Sequence, residues 1–131
     1  MTSPPLPFGP ITDRERLGWQ RRAVRVLAGL LERAQRDGLP VVQWSVSDAG
    51  ARLVARCLTQ DTARRRADFD AWSVALEATE RRELRQGSTT HLYAIARHYD
   101  GLVSVALLAD LFDQDQADAG SQSASQGGED Q

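Results

Sequence analysis

The chain has 131 residues and a formal charge of −2, from 16 basic and 18 acidic side chains, which is a one-domain length with no bulk attraction to nucleic acid or an anionic membrane. Every basic residue is Arg, as a high-GC coding bias produces, and five acidic residues follow Phe112, so the chain up to that point carries +3 and the remainder −5. A single cysteine, Cys57, excludes an intramolecular disulfide and a Cys-based metal cage; no apolar run nears the roughly 20 residues of a membrane span, and MTSPPLPFGP lacks the basic and apolar regions of a signal peptide, so a cytoplasmic location is expected.

Residues 1–10 hold four of the five prolines, which fix φ and cannot donate, so they read as a disordered arm. A helix over 13–37 follows. Thr12 and Glu15 form an S/T-x-x-E capping box; Leu17, Val24, Leu27 and Leu31 recur at helical spacing, with Ala23, Val26, Leu30 and Ala34 broadening the stripe. Gly38 is a natural left-handed stop, with Leu39 placed for the hydrophobic closure and Pro40 barring continuation.

Residues 41–46 alternate, with Val42, Trp44 and Val46 on one face, and predict a strand. Residues 47–50 are turn material. Residues 52–58 could continue a helix begun at Asp48, but the alternation of Leu53, Ala55 and Cys57 against Arg52, Val54 and Arg56 suits a return strand, which is the preferred reading. Asp61 or Thr62 can cap a second helix carrying Phe69, Trp72 and Leu76 on one face. Its Arg64-Arg65-Arg66 run reads as a solvated helix start. Residues 79–88 suggest a frayed turn of helix that Gly87 breaks.

Residues 89–112 read as a hairpin turning at Asp100-Gly101, the two-residue type I′ signal. That turn pairs Tyr99 with Leu102 and fixes the register outward through Tyr93 with Leu108 to His91 with Asp110. One face then carries Leu92, Ala94, Ala96, Val103, Val105, Leu107 and Ala109, with His98 the polar member; the other carries His91, Tyr93, Ile95, Arg97 and Tyr99. Residues 113–131 contain no large apolar group, so they cannot offset the entropy of ordering and read as a disordered acidic tail.

The domain over 11–112 is therefore expected to be α+β, a two-layer sandwich of order α-β-β-α-β-β, with a four-stranded antiparallel sheet and both helices on one face. Placing the last strand between the second and third gives the ferredoxin-like βαββαβ arrangement with its first strand moved to the end; a simple meander is the alternative.

His91 opposite Asp110 suits acid/base work in principle, but an exposed cross-strand ion pair is the commoner reading, and no nucleophile can be argued to join them. His98 reads as a rim histidine. Two histidines and one cysteine do not make a zinc site; there is no Gly-rich phosphate loop, HExxH or GxSxG. No catalytic residue, cofactor, metal or small-molecule substrate is indicated. The residues expected to make contacts are Tyr93, Ile95, Arg97 and Tyr99, with Arg52 and Arg56 beside them on the open sheet face. Arg and Tyr on a sheet could stack bases, but RNP-like aromatic spacing is absent and the tail would compete with phosphate. An apolar patch of Val54, Leu58, Tyr93, Ile95 and Leu108 rimmed by Arg favours a protein partner or a second copy.

With LPVVQWSVSDAGARLVARCL and its Trp44, TARRRADFDAWSVAL with Phe69 and Trp72, and HLYAIARHYDGLVSVALLADLF, the chain over residues 39–112 resembles small uncharacterised proteins of streptomycetes and related actinobacteria. That group has no established activity, so the resemblance implies an accessory bacterial protein and no catalytic residue.

Overall fold

The computed structural model describes residues 10–98 and 101–112. Seven elements follow in chain order: α1 (Asp13–Asp37), β1 (Gln43–Val46), β2 (Arg52–Arg56), α2 (Thr62–Ala75), β3 (Glu80–Gln86), β4 (Thr89–His98) and β5 (Val103–Phe112). The strands form one mixed sheet in the order β1-β2-β5-β4-β3. All neighbours are antiparallel except β2 and β5, which run parallel.

The expected four-stranded antiparallel sheet is thus corrected on one point, with two consequences. Residues 79–88 form a strand and a turn, not a frayed helix. The extra strand β3 reverses the chain direction once more, so β4 and β5 run opposite to the expected sense and β5 meets β2 in parallel. The permuted ferredoxin-like arrangement and the meander both fail on that parallel pair. Gly87 begins the β3–β4 turn at φ +64°, and Gln86 pairs with Thr89 around it. A Gly-Ser pair between two strands is a two-residue hairpin signal of the II′ kind. At the other end of β3 the Thr79 N–H donates to Ile95 O at 2.9 Å while Glu80 is the register partner of Ile95, so two residues face one and the strand opens with a bulge.

Helix α1 begins with the reciprocal capping box of Thr12 and Glu15 and ends at left-handed Gly38, φ +72°. The Leu39 N–H reaches back to Ala34 O, the 6→1 bond of a Schellman stop. Its buried face differs from the expected stripe. Ala23 and Leu30 are buried, with Val26, Leu27 and Ala34 packed beside them, whereas Leu17, Val24 and Leu31 are half exposed.

In α2, Phe69, Trp72 and Leu76 are all buried, as their spacing predicts. The Trp72 Nε1–H donates to Pro40 O at 2.7 Å, and its ring meets Trp44 edge to face with centroids 5.4 Å apart. Both helices cover one face of the sheet, where Leu53, Ala55, Cys57, Leu92, Ala94, Val103, Val105, Leu107 and Leu111 complete a single core. The β4–β5 register from His98–Val103 to His91–Asp110 is the one the hairpin reading demands. Tyr99 and Asp100, with the closing Tyr99–Leu102 pair, lie outside the described residues. Gly101 is left-handed at φ +82°, but its N–H donates to His98 O.

Candidate interaction surface on the open sheet face

Residues sharing a register row share a face, so the strand pairings lay out the uncovered side. One row runs Gln43, Arg56, Leu108, Tyr93, Arg82; the next runs Ser45, Val54, Ala106, Ile95, Glu80. A third holds Arg52, Ser104 and Arg97, and a fourth holds Asp110, His91 and Leu84. The middle of this face is apolar. Val54, Tyr93, Ile95 and Leu108 are half-buried, no helix among the described residues lies on this face, and Leu58, Leu84 and Phe112 stand out at 59%, 60% and 42% exposure. Arg52, Arg56, Arg82 and Arg97 are exposed around the patch.

Five of the six residues expected on this surface, Tyr93, Ile95, Arg97, Arg52 and Arg56, share it. The sixth, Tyr99, lies outside the described residues. Sequence reading missed Arg82 and Leu84, because both sit on β3. The Gly87-Ser88 pair was the signal that could have found them.

A concavity of about 440 Å³ opens where Arg56, Leu58, Tyr93, Leu108 and Phe112 surround His91. His91 Nδ1 lies 2.7 Å from Asp110 Oδ1 and Nε2 lies 3.2 Å from Gln86 Oε1. Both ring nitrogens face acceptors, so the ring is clamped between β3 and β5. Cys57 reaches the same concavity from the core side. Burial, with a further push from the Asp68 carboxylate and opposition from Arg65, raises its thiol to about 12. At neutral pH it stays protonated and is a poor nucleophile.

The floor of the concavity depends on a residue read as solvated. Arg65 is 8% exposed; its Nε–H donates to Thr59 O at 2.8 Å, Nη1 to Asp110 O at 2.8 Å and Nη2 to Gln60 O at 3.1 Å. Beside it the Thr59 hydroxyl donates to buried Asp68 at 2.5 Å. A planar guanidinium with a fixed fork of donors is suited to gather several carbonyls, and here it fastens α2 and the segment after Cys57 to the end of β5. Arg64-Arg65-Arg66 is therefore split in role: Arg65 turns inward, while Arg66 pairs with Glu83 on β3 at 3.2 Å.

At the opposite end of the sheet His98 lies against Arg25, Val26, Gly29 and Leu30 of α1. Its Nε2 is buried with no hydrogen-bond partner among the described residues. Burial lowers its pKa, Glu77 opposes that shift and Arg33 adds to it. Among the described residues no group of three or more His, Cys, Asp or Glu side chains is placed to hold a metal ion, and no helix is long and apolar enough to cross a membrane. No family model matches the chain, and neither does any curated protein or solved structure.

Proposed function

We propose that the chain is a non-catalytic binding or regulatory protein that docks a protein partner on the open face of its sheet. The observation that carries this reading is the contiguous apolar row of half-buried Val54, Ile95, Leu108 and Tyr93 around buried Ala106, on a sheet whose other face already has its helical layer and continuing into the exposed Leu58, Leu84 and Phe112. Apolar patches with polar rims on a soluble domain mark interaction sites. The rim of Arg52, Arg56, Arg82 and Arg97 selects a partner whose own apolar patch is edged by carboxylates. An accessory role in a bacterial cytoplasm is part of the same proposal.

Ile95→Asp tests it by placing a charge in the middle of the patch. Affinity capture from the native host with the original chain and with Ile95→Asp should recover a partner that the variant loses. A partner retained equally by both chains overturns the reading.

One observation favours a second reading. The register sets Arg82 and Leu108 on either side of Tyr93 and brings Arg56 next in the row, an aromatic ring with guanidinium groups along a sheet, as single-stranded nucleic acid uses for stacking. Titration with labelled single strands over a salt series separates the two. Phosphate contacts require a steep loss of affinity with salt, and no binding at low salt removes this alternative.

A further inference from the structure

We infer that the concavity over His91 is a binding site for a small aromatic carboxylate, with Arg56 taking the carboxylate and the apolar walls taking the ring. The site shares Tyr93 and Leu108 with the docking patch, but it concerns a ligand of the isolated chain and stands whether or not a protein docks there.

The shape of the cavity follows from the register. On this face the Tyr93–Leu108, His91–Asp110 and Thr89–Phe112 rows succeed one another, each about 7 Å from the next, which is two residues along a strand. His91 reaches sideways to Asp110 on β5 and to Gln86 on β3, at 2.7 and 3.2 Å. The imidazole is thereby held along the sheet, and its row stays low between Tyr93 and Leu108 on one side and Phe112 on the other. β2 ends at Arg56, beside Leu108, so beyond that row Leu58 flanks the cavity in place of a strand. The Arg65 guanidinium lies 5.9 Å from the centre of the Phe112 ring and holds that wall by a cation–π contact. The volume of about 440 Å³ belongs to the small end of ligand pockets, which run from roughly 300 to 1,000 Å³. Sequence pattern gives no sign of the site, because Gln86 reaches His91 only through β3.

The chemistry follows from which charged lining groups already have partners. Arg65 gives its guanidinium to three carbonyls. Asp110 turns its carboxylate to His91. Arg56 is exposed and has no hydrogen-bond or ion-pair partner among the described residues. Its planar fork of N–H donors matches a carboxylate through two parallel bonds. One such fork beside walls of Leu58, Tyr93, Leu108 and Phe112 selects one anionic group on an apolar body. The flat imidazole between the Tyr93 and Phe112 rings favours an aromatic body, which stacks on such groups or meets them edge to face. A dianion such as a phosphate ester would bring more charge than one fork offsets, into walls that offer little else.

Titration of the isotope-labelled chain with phenylacetate, followed by NMR, tests the assignment. Phenylacetate should bind with a dissociation constant of about a millimolar or below, moving the amide signals of His91, Tyr93, Leu108 and Phe112. Phenylacetamide keeps the ring without the charge, and acetate keeps the charge without the ring; each should bind at least roughly tenfold more weakly. Arg56→Gln should weaken phenylacetate by roughly tenfold and leave phenylacetamide unchanged. Arg14→Gln, on α1, removes the same charge elsewhere and should leave phenylacetate binding as it was. Circular dichroism checks that both variants are folded. Phenylacetate that moves none of those signals, acetate or phenylacetamide that binds as tightly, or affinity indifferent to Arg56→Gln overturns the inference.

Discussion

Leu107 and Leu108 are chain neighbours on β5, yet one is fully buried under the helices and the other is only partly buried, on the side of the sheet that no described helix covers. Strand alternation puts them on opposite faces, so the same residue type serves stability on one side and is available for recognition on the other. The contrast extends across the sheet. The covered face is sealed by large apolar groups and by two buried polar anchors, Trp72 on Pro40 O and Arg65 on three carbonyls. The open face is apolar in the middle and cationic at its rim, with its histidine held by side chains alone.

The largest expected effects lie on the covered face. Leu107→Ala should cost about 3 kcal/mol in denaturant unfolding, from lost burial plus the cavity left behind. Arg65→Ala should cost a similar amount, about 3 kcal/mol, because its removal strands carbonyls in a site that water enters poorly. Leu108→Ala should cost less, about 1 kcal/mol, since that side chain is only partly buried and its removal leaves no enclosed cavity. Equal losses for Leu107→Ala and Leu108→Ala would break the comparison by showing that something covers both faces.

The smallest expected effect is on pH dependence. His98 is held neutral by burial, so the unfolded chain binds the extra proton first as pH falls. The stability that a neutral His98 contributes is present above its ordinary pKa of 6.5 and is lost as the pH falls below that value toward its lowered folded pKa. Thermal melts between about pH 7 and 5 should show a decline that His98→Gln flattens. A variant whose melts decline as steeply as those of the original chain would remove His98 as the cause.

The sequence made α1, its caps and the β4–β5 register legible because each rests on local chemistry: a hydroxyl and a carboxylate three residues apart, a glycine stop, and strict alternation beside a turn. β3 was hidden because ERRELRQ has no alternating apolar residues, and its strand form comes from tertiary partners. Arg81 spans from the Phe69 ring, 5.4 Å away, to Asp70 at 2.8 Å, and Glu83 meets Arg66. The facing of α1 was hidden for another reason. Two apolar rows overlap on that helix, and periodicity alone does not say which of them meets the sheet. Of the candidate surface, the β2 and β4 residues were legible from alternation, while Arg82 and Leu84 were lost with β3. The inward turn of Arg65 could not be read from three consecutive arginines, since only the position of the β5 carbonyl distinguishes it.

The place of β5 has a consequence for how the chain is made. It is the last of the seven described elements, yet it lies between β2 and β4 and supplies pairing edges to both. During synthesis the β1–β2 and β3–β4 hairpins can each form, but nothing joins them until residues 103–112 have been added. Contacts of such sequence separation slow folding, and until β5 arrives both hairpins keep strand edges that a chaperone or a neighbouring nascent chain could capture.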